Sequence, residues 1–286
     1  MDLSIESETQ FQKCNKEGYI MKDKKKIIAP VGLAGPRKEI ENVCDKAAVY
    51  RIGGIRPMHF IVPLDSGEGR TTLLEYMTDK YKDAGVMDFS CGLDDYIEVV
   101  LDGSLHQLRE AFASIDDAAI FDNEYRNIIG MDISGISGHL GEVQLTEFLE
   151  NCRKVCEKAC VVFFVHSNPT AKEEKLLEKL CEAIGGKNIK RLKIEPYTPK
   201  ELRDFVARDI EDKGIEVKHV RKFSAALDKA LSELGITSIK DASDFVRTII
   251  WHGNFRGGNC FVDETSVEAV TKAYEVSISK GREVVK

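Results

Sequence analysis

No apolar run in this chain approaches the ~20 residues that a membrane-spanning helix needs, and the opening MDLSIESETQ has neither the basic nor the apolar region of a secretory signal. A cytoplasmic protein with no membrane partner is therefore expected. Positive charge is not in excess either: 41 Lys and Arg stand against 48 Asp and Glu, for a net charge of -7. Nucleic-acid binding draws much of its free energy from neutralised phosphates, so it is not expected. The one basic run, Lys22 with Lys24, Lys25 and Lys26, reads as a solvated loop. The eight cysteines lack the short regular spacings of a disulfide framework. Cys152, Cys156 and Cys160 recur at every fourth residue, a helical stripe with no nearby His/Cys pair to complete a tetrahedral zinc set. No Ser-His-Asp or Cys-His series can be assembled, and His59, His106 and His166 show no catalytic pairing.

What the chain does have is a sizeable core. Its 286 residues are 43% hydrophobic and 31% charged, which suits one large or two modest globular domains. The stretch HFIVPLDSGEGRTT, His59 to Thr72, organises the rest. A short apolar run, Phe60-Ile61-Val62, ends at Pro63 and is followed by two glycines, a basic residue, two threonines and a helical pattern from Thr72. In a phosphate-binding loop, G-x-x-x-x-G-K-S/T bends the backbone so that successive N–H groups and a helix N-terminus converge on phosphates. Here Leu64 stands at the first glycine, Gly69 at the second, Arg70 at the lysine, and Thr71 at the magnesium position.

The first 27 residues are polar and without periodicity, and read as a loose arm. A helix follows Gly35-Pro36, with Ile40, Val43, Ala47 and Val49 on its apolar positions, and leads to a strand at about 58–62. Beyond the glycine loop come a helix over about 72–82 and a second strand at either 86–89 or 96–101. Ser104 opens a helix running toward Ala113. Asn127 to Asp132 is a buried-type strand delivering one carboxylate at its end, and a helix with Leu145, Phe148, Leu149 and Cys152 follows. Cys160 to Val165 is the most strand-like segment, ending at His166-Ser167-Asn168-Pro169. A helix over 172–184 and a fifth strand over 189–194 complete an alternation that implies a parallel α/β sheet, with ligands beyond the carboxyl ends of its strands. From Thr198-Pro199-Lys200-Glu201 onward the chain reads as helical to the end, over 199–213, 218–234, 240–252 and 265–280. Thr265-Ser266-Val267-Glu268 supplies the last start signal, and a domain boundary falls at about residue 195.

A glycine loop after one strand, an aspartate ending a later one, a polar residue ending the next, and a helical C-terminal part together resemble the AAA+ ATPases over residues 28–286. The resemblance implies a five-stranded parallel P-loop sheet flanked by helices over 28–195, after an arm over 1–27, and a helical lid over 196–286. Residues 65–72 resemble the Walker A loop, so Gly67, Glu68, Gly69, Arg70, Thr71 and Thr72 would bind nucleotide. Thr71 would ligate magnesium. Asp132 looks like the Walker B aspartate, holding the ion through water, and Asn168 like the sensor of the terminal phosphate. Val31-Gly32-Leu33 looks like the segment flanking adenine. A water-orienting glutamate should follow Asp132, but Ile133 stands there; Glu142 or Glu147 compensates only if the 135–141 loop folds back. A second sensor arginine falls near Ser243, with Arg247 as a substitute, and Arg153 is placed to project toward a neighbouring subunit or to be a surface charge. The resemblance thus implies ATP or ADP binding with Mg2+, weak or lost hydrolysis, and a nucleotide-responsive regulatory or assembly role on a protein partner, in a homo- or hetero-oligomer. An active ATPase remodelling a partner and a nucleotide-free interaction module are the alternatives. Ile133→Glu and Arg70→Lys are expected to restore part of the turnover.

Overall fold

The computed structural model describes residues 29–50, 58–86, 96–101, 109–110, 112–113, 128–136, 140–256 and 259–284. The expected arm, most of the Ser104 helix, and the 86–89 strand apart from Val86 lie outside them. Helix α1 (Ala34–Tyr50) precedes β1 (His59–Pro63), α2 (Arg70–Asp83), β2 (Tyr96–Val100) and β3 (Ile128–Asp132). Then come α3 (Glu142–Lys158), β4 (Cys160–Val165), α4 (Ala171–Ile184) and β5 (Ile189–Arg191). Of the two candidates for the second strand, the 96–100 segment is a strand among the described residues, and the fifth strand is shorter than its apolar run suggests.

These five strands form one parallel sheet in the order β2-β3-β4-β1-β5. Strands β1, β3 and β4 are buried almost throughout, which is why each reads as a continuous apolar run rather than an alternation. One face carries α3 and α4 through Phe148, Cys152, Leu177 and Leu180, and the other carries α1 and α2 through Ile40, Leu74, Met77 and Tyr81. The cysteine stripe is core: Cys152 and Cys156 face the sheet, and burial pushes all three thiols up.

The C-terminal region has its own apolar cluster, including Val206, Phe223, Leu227, Phe245 and Ile249. Its helices are α5 (Pro199–Asp212), α6 (Val220–Glu233), α7 (Ile239–Trp251) and α8 (Glu264–Val284). It is not wholly helical: β6 (Glu216–Val217), β7 (Asn254–Arg256) and β8 (Asn259–Val262) form a three-stranded sheet in the order β6-β8-β7. Strands of two to four residues are too short for a period of two to register in a sequence. Among the described residues no helix is long and apolar enough to cross a membrane.

Candidate nucleotide-binding site

Strands β1, β3 and β4 are adjacent, so their exits lie side by side. Pro63 is level with Val165, and Asp132 with Phe164. Backbone bonds carry this alignment into the loops, from the Leu64 N–H to the Val165 carbonyl at 3.0 Å and from the Ile133 N–H to the Phe164 carbonyl at 2.9 Å. The chain after β1 turns through residues 64–69 into α2. Gly69 caps that helix at φ 91°, a left-handed conformation that costs glycine little. Gly69 has no side chain with which to cap the helix, and among the described residues no side-chain acceptor is recorded at its first N–H groups, the arrangement that receives an anion.

Arg70, the first helical residue, turns inward and is only 7% exposed. Its Nε donates to the Leu64 carbonyl at 2.6 Å, its Nη1 pairs with Asp132 Oδ2, and its guanidinium carbon lies 5.2 Å from the Phe164 ring centre. The other oxygen of Asp132 accepts from the Ser134 amide at 3.1 Å and hydroxyl at 2.7 Å. Burial opposes ionisation of Asp132, but the bonds from Ser134 and Arg70 outweigh it and hold the carboxyl below its usual range. Thr71 Oγ1 donates to Glu98 Oε2 of β2 at 3.1 Å. Ser167, after β4, donates from its amide at 3.3 Å and from its hydroxyl to Asp65, tying that exit to the glycine loop. Asn168, next to it, is exposed.

Glu68 points the other way, to the C-terminal region. Its carboxylate accepts from the Ile239 and Lys240 amides at 2.9 and 3.3 Å, the N-terminus of α7, and its carbonyl accepts from the Tyr197 hydroxyl at 3.2 Å. The Lys240 stem lies over Gly67, close enough that a Cβ there would meet it at 3.4 Å. Between loop and helices opens a cavity of about 420 Å³, whose lining includes Val31, Leu33, Gly69, Thr72, Tyr197 and Ile239.

The structure thus gathers Gly67, Glu68, Gly69, Arg70, Thr71 and Asp132 at one place, puts Thr72 on the cavity wall, and leaves Asn168 on the neighbouring loop. Several sequence expectations change. Ile133 is 1% exposed and belongs to the apolar core, so no carboxylate fits there. Glu147 is held by Arg109 through two bonds of 2.8 and 3.1 Å. Arg153 is exposed and pairs with Glu157 one helical turn on, as a surface charge does, and Arg247 pairs with Asp244. The C-terminal residue over the loop is Lys240, which sequence order alone did not single out; its signal was its place beside the helix-starting Ser238. Glu98 and Ser134 were also missed, since neither belongs to a spaced motif. His219, Asp263 and Glu264 bring ligand-type atoms within 4.8 Å of one another. Asp263 there is committed to the amides and hydroxyls starting α8, and Glu264 to His219 and Lys222.

No protein-family model matches the chain, and no curated protein matches it. Solved structures do. The Aeropyrum pernix ORC2 protein, solved as ADPNP-ADP complexes, is 15% identical with a TM-score of 0.56, covering 87% of this chain and 70% of that one. A variant of Thermotoga maritima RuvB is 15% identical at a TM-score of 0.53, covering 85% and 70%. The Aeropyrum pernix ORC1 protein in complex with DNA is 15% identical at 0.51, covering 87% and 66%. The chain therefore has the AAA+ P-loop ATPase fold, and it spans about two thirds of the length of these neighbours. The expectation against nucleic acid gains no support from neighbours that include a DNA complex.

Proposed function

We propose that this chain binds ATP or ADP between the glycine loop and a lid formed by residues 196–286, hydrolyses it weakly or not at all, and acts as a nucleotide-responsive regulatory or assembly module on a protein partner. The observation that carries the reading is Arg70. The position that would hold a compact, mobile lysine holds a planar guanidinium drawn into the sheet and bound to Leu64 and Asp132. A guanidinium has five donors, so it can stay there and still offer others to a phosphate. It cannot follow the terminal phosphate as an ammonium on a free stem does. With Ile133 buried, the water-orienting carboxylate is missing from its position as well, a loss of typically about 10²–10⁴-fold where it acts as general base. Asp132 and Asn168 remain the candidates nearest the chemistry. Glu68, by capping α7 from within the loop, gives loop occupancy a direct route to lid position. A homo- or hetero-oligomer is part of the proposal, as is a cytoplasmic setting.

A second reading, a nucleotide-free interaction module, is favoured by one fact: Arg70, Asp132, Thr71 and Asp65 all have protein partners without any ligand. Calorimetric titration with ATP and ADP, with phosphate release measured in parallel, separates the readings. The expected result is saturable binding below millimolar nucleotide, little phosphate release, and no binding in Arg70→Ala. At about 100 times its dissociation constant the ligand adds about 2.7 kcal/mol of stability, so the melting temperature rises with it. No heat and no shift at millimolar nucleotide supports the interaction module; phosphate release at rates normal for an ATPase supports an active motor.

A further inference from the structure

The magnesium assignment that the resemblance implies does not fit Asp132 well. Both its oxygens are engaged, one by a buried guanidinium and one by the Ser134 amide and hydroxyl. Three of the roughly four acceptor sites of this carboxylate are thereby taken, and a cation ligated directly by Asp132 would stand against the Arg70 guanidinium and be repelled by it. A second carboxylate stands on the same face of the sheet. Glu98 of β2 is level with Gly130 of β3, and Gly130 lies two residues before Asp132, hence on the same side. That side faces α2: a Cβ on Gly130 would come within 2.5 Å of Leu74. Asp132 therefore reaches Arg70 and Glu98 reaches Thr71, two successive residues of one helix start. Unlike Asp132, Glu98 is exposed, and among the described residues its recorded donor is the Thr71 hydroxyl, at 3.1 Å.

We propose that Glu98 and Thr71, rather than Asp132, supply the protein oxygens of a divalent-cation site completed by the nucleotide's phosphates. The inference rests on the nucleotide reading above. Magnesium takes hard oxygen ligands, keeps several waters, and is commonly held by one or two carboxylates together with substrate phosphates. A hydroxyl and a carboxylate already in contact at the free end of α2 match that donor set. Charge gives the pair a direction. Glu98 beside a bound phosphate repels it unless a cation stands between them, whereas Asp132 is neutralised by Arg70 whether or not metal is present. Glu98 thus makes phosphate binding conditional on the cation, and Arg70 and Asp132 form a metal-independent floor beneath it.

The test is calorimetric titration of the whole chain with ADP, in chelator and in millimolar Mg2+, for wild type, Glu98→Gln, Thr71→Val and Thr71→Ser. Glu98 is an exposed residue of an edge strand, so Glu98→Gln leaves the core intact. Wild type is expected to bind about tenfold or more tightly with magnesium. In Glu98→Gln that gain falls below about threefold, while metal-free affinity stays equal or improves because a repelling charge is gone. Thr71→Val loses the gain and Thr71→Ser keeps it. Electron paramagnetic resonance of Mn2+ with ADP gives a readout without turnover: the bound-manganese signal weakens in Glu98→Gln. An undiminished magnesium gain in Glu98→Gln, or no gain in wild type that nevertheless binds ADP, overturns the assignment. Absence of any ADP binding under either condition overturns the nucleotide reading itself, and the assignment with it.

Discussion

A carboxylate is tolerated inside a protein only with partners, and this decides what two neighbouring residues, Asp132 and Ile133, can do. Asp132 has three donors around it; Ile133 has an apolar cluster and is 1% exposed. Ile133→Glu therefore does not restore a catalytic group. It buries an unpaired carboxylate, and stability near neutral pH is expected to fall by about 2–4 kcal/mol. Urea unfolding measures the loss, and phosphate release should stay at the wild-type level. A folded Ile133→Glu variant of unchanged stability that releases phosphate faster would return the position to the catalytic site. Sequence order placed Ile133 correctly after the aspartate, but only the packing of β3 shows which way its side chain goes.

At the scale of elements, β1, β3 and β4 were legible because each is buried on both faces and leaves an unbroken apolar run. Helix α5 was legible because Thr198 and Glu201 cap it reciprocally, as their spacing says. Helix α8 shows the limit: the Thr265 to Glu268 pattern is there, but Asp263 does the capping, and the helix starts one residue earlier. Some ties between elements have no sequence signature at all. His59 on β1 accepts the Val161 N–H of β4 at its Nδ1, at 3.2 Å, and burial lowers its pKa from 6.5 to about 4. A depressed pKa means that the neutral form is favoured on folding. Its contribution is complete above pH 6.5 and is lost as pH falls toward about 4. Between pH 7 and pH 5 the loss should be about 2 kcal/mol from this residue alone. Urea unfolding at both pH values checks it against His59→Asn, which keeps a side-chain acceptor and does not titrate; equal pH dependence of the two proteins would remove His59 from the account.

At the scale of the molecule, the ties between the sheet-bearing body and the C-terminal helices among the described residues include the 195–198 linker, the contacts around Glu68, and a bond of 3.2 Å from Arg208 of α5 to the Ala29 carbonyl. Tyr197 packs against the α2-side cluster of the body and against the C-terminal cluster, so the linker is itself part of the seam. Its hydroxyl and the α7 amides all end on Glu68. Glu68→Ala removes the carboxylate from a helix start that already has Ser238 as its cap, so the global cost should be modest, about 1 kcal/mol. The local effect should be larger, because interfaces between units of one chain tend to be mobile unless large and apolar. Limited proteolysis is expected to cut Glu68→Ala within 195–198 several times faster than wild type, while the fragments on either side resist further cleavage. If nucleotide occupies the proposed crevice, ADP with magnesium should slow cleavage of wild type by bridging the glycine loop to α7, and slow that of Glu68→Ala less. Equal cleavage of both proteins, with and without ADP, would mean that body and C-terminal helices move as one unit and that Glu68 is no hinge contact. Faster cleavage of Glu68→Ala with no ADP protection in either would keep the seam and remove the nucleotide from it.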